Sequence, residues 1–155
     1  MNTTSRVAVD KHMTQYPLVA ATDMSLSRAL RLMKEFRIRH LPVIDKNKIV
    51  GVVSERDLTR MEPYVDSMSI MLGDIMIRDP YVAKIGTPLE EVTDIMAAHK
   101  FGCAVVVSPR EEVIGIFTTI DALKILTTIL KEERNEAQYE RTLEDYFEWD
   151  ASIGE

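Results

Sequence analysis

Residues 49–58 read IVGVVSERDL and residues 113–122 read VIGIFTTIDA. Laid over each other at a separation of 64, Gly51 meets Gly115, Ser54 meets Thr118 and Asp57 meets Asp121. Each stretch is an apolar run broken by one glycine, then a hydroxyl residue, then an acid three positions on, which reads as a strand running into a helix start. Upstream, at a separation of 63, Met13, Pro17, Val19 and Ala20 fall on Met76, Pro80, Val82 and Ala83, and Leu26, Met33 and Val43 fall on Leu89, Met96 and Val106. The chain is a duplication of a unit of about sixty residues, with one residue inserted in a turn of the second copy.

Within each copy the spacing predicts the same order of elements. After a short extended start around Val19 or Val82, Leu26, Ala29, Leu30 and Met33 recur at helical intervals, as do Leu89, Val92, Ile95 and Met96. Ser25 and Thr87 are the expected N-caps of these helices. Two apolar runs follow, LPVI with IVGVV and AVVV with VIGIF, separated by polar turns at residues 45–48 and 108–112, and these read as hairpins. A second helix starts after Ser54 or Thr118, the first ending near Pro63 and the second running from Asp121 toward Arg134. A unit of strand, helix, strand, strand, helix buries too little apolar surface to be comfortably stable alone. The two copies are therefore expected to pack on each other, sheet to sheet, about a pseudo-twofold axis in an α+β fold. The span YVDSMSIMLG, residues 64–73, is too apolar for a free linker and is expected to cross the interface as a helix. The expected organisation is an N-terminal arm over residues 1–12, repeat 1 over 13–63, a linker helix over 64–73, repeat 2 over 74–130 and an acidic, aromatic tail over 131–155.

The 155 residues, 46% of them apolar, suffice for one ordinary domain or two very small ones and exclude a fibrous or wholly disordered chain. No apolar run approaches the roughly eighteen residues of a membrane helix. The stretch MNTTSRVAVDKHM lacks the apolar segment of a secretory signal, so a soluble, unexported protein is expected. Cys103, the single cysteine, cannot form an internal disulfide, which fits a reducing cytoplasm. The formal charge is −6, and residues 131–155, with three basic and nine acidic side chains, carry all of it. A neutral body with an acidic tail repels phosphate backbones and anionic lipid, so neither nucleic acid nor membrane is an expected partner.

The pattern M-T-x-x-P, a helix, HLPVID and IVGVVSERDL, with IGTPL, CAVVV and VIGIFTTIDAL in the second copy, resembles the cystathionine β-synthase (CBS) domain. Two in tandem resemble the paired regulatory unit called a Bateman module. The likeness covers residues 13 to about 125, and no catalytic domain accompanies the pair, so the chain resembles a stand-alone CBS-pair protein. The resemblance implies a cleft between the repeats that takes an adenosine-containing ligand: AMP, ADP, ATP, S-adenosylmethionine or a dinucleotide. That ligand would be regulatory, not a cofactor. The resemblance further implies a disk-like homodimer that senses the ligand and passes a conformational change to a partner protein.

Asp57 and Asp121 are the leading site candidates, because one carboxylate can accept hydrogen bonds from both neighbouring hydroxyls of a ribose. Ser54 and Thr118 open the following helices, where unpaired backbone N–H groups and the helix dipole favour a phosphate. The same spacing also describes a capping box that merely closes a helix. Gly51 and Gly115 fit either the close approach of a ligand or another backbone, or a bulge in a hairpin. The family resemblance implies that each acid works with a wall built by the other repeat. Asp121 and Thr118 would work with Met13, Leu18, Ile38 and Arg39, and Asp57 and Ser54 with Met76, Tyr81, Phe101 and Gly102. Taken singly, Ile38, Phe101 and the methionines are more often core than ligand contacts. Ala20 and Ala83 stand where the family pattern often has Thr. Arg39 and Arg56 have no basic equivalents in the second copy, where Gly102 and Ile120 take their places. Arg39 would favour a phosphate tail in the cleft of Asp121 or is an ordinary solvated Arg, and the two clefts are not expected to be equivalent.

Enzymatic and metal chemistry find little support. His12, His40, His99 and Cys103 form no matched ligand set, and there is no P-loop, G-x-G-x-x-G or nucleophile motif, so no catalytic or metal-binding residue is expected. In the tail, Tyr139, Leu143 and Tyr146 recur at helical spacing among acids, with Phe147 and Trp149 beside them. That stripe either extends the last helix and packs on the body or dimer mate, or docks on a basic partner protein. Two functions compete with an enzyme: a regulatory module that binds an adenosyl ligand, and a ligand-free structural or oligomerisation module that binds a partner through its acidic tail.

Overall fold

The computed structural model describes residues 7–152, and their side chains except those of Tyr139 and residues 142–152. The chain divides into two compact units, Met1–Thr119, which holds both sheets, and Ile120–Glu155. A 3₁₀ turn at Val9–Lys11 and the short strand β1 (Thr14–Gln15) precede β2 (Ala20–Ala21), α1 (Leu26–Phe36), β3 (His40–Asp45), β4 (Lys48–Ser54) and α2 (Glu55–Met61). A one-turn helix α3 (Leu72–Ile75) and β5 (Ile77–Arg78) then lead into β6 (Val82–Lys84), α4 (Leu89–His99), β7 (Cys103–Val107), β8 (Val113–Thr118) and α5 (Thr119–Ser152). The order strand, helix, strand, strand, helix is thus present twice, in an α+β fold with two four-stranded sheets.

Each sheet is completed by the other repeat. The sheet orders are β2-β3-β4-β5 and β1-β8-β7-β6. Thr14 and Gln15, which open repeat 1, pair with Ile116 and Gly115 of repeat 2, while Ile77 and Arg78 of repeat 2 pair with Val52 and Gly51 of repeat 1. The two exchanges occupy equivalent positions, as a pseudo-twofold relation requires. Two further contacts join matching places of the repeats. The His40 ring lies against Gly102 at the strand starts, and Lys48 Nζ reaches the Arg110 carbonyl and Glu111 at the hairpin tips.

Local sequence accounts for most of the elements. The Ser25 hydroxyl caps α1 by accepting from the Arg28 N–H at 3.3 Å, and the helix buries Leu26, Ala29 and Met33. It ends at Arg37, in left-handed backbone (φ 52°), with the Ile38 N–H returning to the Met33 carbonyl. The second repeat matches: Lys100 (φ 58°) ends α4, and the Phe101 N–H returns to Met96. Thr87 is not the cap expected of it. Pro88 takes the N-cap position, and the Thr87 hydroxyl donates instead to the Lys84 carbonyl at 2.7 Å. The β3–β4 hairpin turns through Lys46 and Asn47, both at positive φ, the backbone of a two-residue turn that matches strand twist.

Residues 64–73, expected as a helix across the interface, instead form a chain of turns. The Asp66 carbonyl accepts from Ser69 and Ile70, and helix returns only for α3. The turns are pinned to repeat 1, with the N–H groups of Leu26 and Ser27 donating to Ile70 and Ser67. Ile70 packs against the first core, built on Ala20, Leu26, Met33, Leu41, Val43 and Leu58. The apolar content that suggested a helix is thus satisfied by packing without one. The backbone of α5 is helical through Ser152; the aromatic stripe of Tyr139, Tyr146, Phe147 and Trp149 lies outside the residues whose side chains are described.

Candidate functional site

At the end of β4, Ser54 is the N-cap of α2. Its Oγ accepts from the Asp57 N–H at 3.2 Å, and its hydroxyl donates to Asp57 Oδ2 at 2.7 Å. The capping role is therefore real, yet it does not consume the acid. Asp57 Oδ1 makes no hydrogen bond to a described residue, and an ionised carboxylate has about four acceptor sites. Holding one oxygen fixes the rotamer of the other, as a preorganised diol acceptor needs. In the second repeat Thr118 ends β8, and Asp121 stands in the first turn of α5, where Lys124 Nζ is 3.9 Å from its Oδ1.

The residues expected to work with Asp57 belong to the second repeat. The rings of Tyr81 and Phe101 stack at 5.9 Å between centroids, and His99 stacks on Phe101 at 5.2 Å. Burial, with Glu91 nearby, pushes the Tyr81 phenol up from its ordinary value. Phe101 remains 39% exposed, whereas Ile38, its counterpart at the end of α1, packs against the first core. A half-exposed aromatic ladder offers a flat face to a base. Gly102 has the His40 ring so close that a Cβ there would stand 2.6 Å from Nε2. Burial holds the His40 imidazole below its usual value, opposed by the Asp57 charge and assisted by Arg39. Sequence patterns raise His40 only as a metal ligand; the one signal of this position is that the second repeat has Cys103 in its place.

Met76 and Met13 lie over Gly51 and Gly115. Met13 also lines a cavity of about 320 Å³ with Asp10, Lys11, Gln15, Tyr16, Ile85 and Ile114, at the hairpin end of the second sheet, away from Phe101 and Gly102. Leu18 is half-exposed. Arg39 is exposed, with its Nε 3.9 Å from Glu55, and Arg56 is exposed. Ala20 and Ala83 are buried. Burial pushes the Cys103 thiol up to about 11, so it is neither a ready nucleophile nor a ready metal ligand at neutral pH. Among the described residues no three His, Cys, Asp or Glu side chains gather closely enough to hold a metal ion, and no helix is long and apolar enough to cross a membrane.

Duplicated α+β units, each completing the other's sheet and each starting a helix with a hydroxyl residue and an acid, define a class of paired-repeat modules. The CBS domain model matches residues 7–63 and 72–128, and the chain belongs to the CBS domain family as a tandem pair. Inosine-5'-monophosphate dehydrogenase of Korarchaeum cryptofilum is 35% identical over 104 residues, which is 67% of this chain but 21% of that enzyme. The chain therefore spans about a fifth of the length of that relative. The crystal structure of the CBS-pair protein CBSX2 of Arabidopsis thaliana, in complex with AMP, is 29% identical, covers 79% of this chain and 97% of its own, and has a TM-score of 0.67. An uncharacterized conserved protein of Pyrococcus horikoshii is 31% identical, with a TM-score of 0.69 over 77% of this chain and 92% of its own.

Proposed function

We propose that the chain is a regulatory module that binds an adenosine-containing ligand between its CBS repeats and relays occupancy to a partner protein. The observation that carries this reading is the AMP complex of CBSX2, which matches 79% of this chain over 97% of its own. In the first cleft Asp57 would accept the ribose hydroxyls, with Ser54 fixing its carboxylate. The Tyr81–Phe101 ladder, Gly102 and Met76 would form the wall for the base. Asp121 would play the same part at the start of α5 for a second, inequivalent site, and Arg56 would border the first. The match to the dehydrogenase is confined to 21% of that enzyme, which supports a regulatory rather than a catalytic role.

The module would act in the cytoplasm, where an unpaired thiol such as Cys103 persists, and as a homodimer. Self-association is supported by a row of half-exposed apolar side chains on α5, Ile120, Leu123, Leu126, Ile129 and Leu130.

Thermal unfolding with AMP, ADP, ATP, S-adenosylmethionine and NAD tests the reading. A bound ligand at a hundredfold over its Kd stabilises the fold by about 2.7 kcal/mol. A ligand-free scaffold shows no shift with any of the five, and that result overturns the proposal.

A further inference from the structure

His40 is the first residue of β3, pairs with Ser54 across the hairpin, and rests its ring on Gly102 of the other repeat. It thus stands between the helix start that carries Asp57 and the loop that carries the Phe101 wall. Gly102 makes this possible. Any side chain there would occupy the space of the ring, and in the second repeat the counterpart of His40 is Cys103, which cannot take on a positive charge.

We propose that His40 is a specificity-determining residue of the Asp57 cleft, favouring phosphorylated over uncharged adenosyl ligands by taking up a proton from solvent as the anion binds. The inference rests on the nucleotide-binding reading above. The groups acting on the ring are Asp57 from α2 and Arg39 beside it, the latter 3.9 Å from Glu55, while Gly102 on its other side brings no charge. Burial outweighs Asp57, so the free protein holds the ring neutral at pH 7. A phosphate carried by a ligand held at Asp57 adds negative charge on the same side of the ring and tips the balance toward imidazolium. The complex then carries more protons than the free protein, and affinity rises as pH falls. Adenosine, without a phosphate, has no such dependence.

Calorimetric titration of the full chain with ADP and with adenosine, in two buffers of different ionisation enthalpy, measures this uptake directly. With ADP, the wild type takes up more protons than His40→Gln. Its affinity also gains roughly fivefold more between pH 7.5 and 6, since uptake of one whole proton on binding would raise affinity about tenfold for every drop of one in pH. Comparison with His40→Gln cancels the titration of the phosphate itself. Equal uptake by the two proteins overturns the assignment, as does binding of the uncharged or cationic ligands alone, and either result leaves the nucleoside reading standing. Binding of none of the adenosyl compounds overturns both. If His40→Gln does not fold, NMR titration of the wild-type histidine rings decides: the His40 pKa rises on ADP saturation, and an unchanged value overturns the assignment.

Discussion

Met76 fills the space that a side chain on Gly51 would need: a Cβ there would lie 2.7 Å from Met76 Cγ and 2.9 Å from the Ile77 carbonyl oxygen. At the equivalent Gly115 the three nearest atoms all belong to the Met13 side chain. Gly51→Ala and Gly115→Ala should therefore each destabilise by about 1–3 kcal/mol. Met13→Ala should rescue much of the Gly115 loss, whereas Met76→Ala should rescue less at Gly51, where backbone also obstructs. Chemical denaturation of the four single and two double variants checks this, and equal rescue at both sites would refute it.

Removing the Ser54 hydroxyl takes away both a helix cap and the partner of Asp57 Oδ2. Ser54→Ala should cost about 1 kcal/mol. Asp57→Ala should leave the protein folded and remove the thermal shift given by a ligand in the first cleft. Shifts unchanged in both Asp57→Ala and Asp121→Ala would refute their role in binding.

His40 should make stability depend on pH. Its folded pKa lies below the unfolded value of 6.5. Above 6.5 the ring is neutral in both states and contributes nothing. Below it the unfolded chain binds the proton first, so stability falls with pH until the folded ring also titrates. The drop measured between pH 7.5 and 5.5 should be smaller in His40→Gln, and identical curves would contradict the assignment.

Cys103 is buried, with its thiol pushed up to about 11. Native protein at pH 7.5 should react with maleimide far more slowly than unfolded protein, with mass spectrometry as the readout. Rapid native labelling would show that β7 opens readily.

Leu123 and Leu130 are 56% and 55% exposed on α5. If a second copy covers them, light scattering should give a dimer for the wild type and a monomer for Leu123→Glu combined with Leu130→Glu. A monomeric wild type would refute the dimer.

The glycines show how far residue patterns reach. Two readings are open in the sequence at Gly51 and Gly115, a close approach or a bulge, and both hold. A methionine presses on each glycine, joined at Gly51 by the Ile77 carbonyl, and the register shifts beside each, between Val43 and Ile44 and between Val106 and Val107. Thr87 misleads because a hydroxyl before a helix looks like a cap in sequence. Here Pro88 adopts that position, and the hydroxyl turns back to Lys84. The Ser54–Asp57 geometry is legible because its partners are three residues apart. The contact of His40 with Gly102 is not, because it joins residues 62 positions apart.

The sequence by itself determined the duplication, the order of elements in each copy and the helix start that bears each acid. All of these follow from short-range spacing: a helical or alternating apolar period, a cap and an acid within one turn. Only the tertiary structure decided that each repeat completes its sheet with two residues of the other, Thr14–Gln15 and Ile77–Arg78, and that His40 lies between the repeats. Two-residue strands carry no period of their own, and their partners are chosen by backbone hydrogen bonding and close packing across the whole fold.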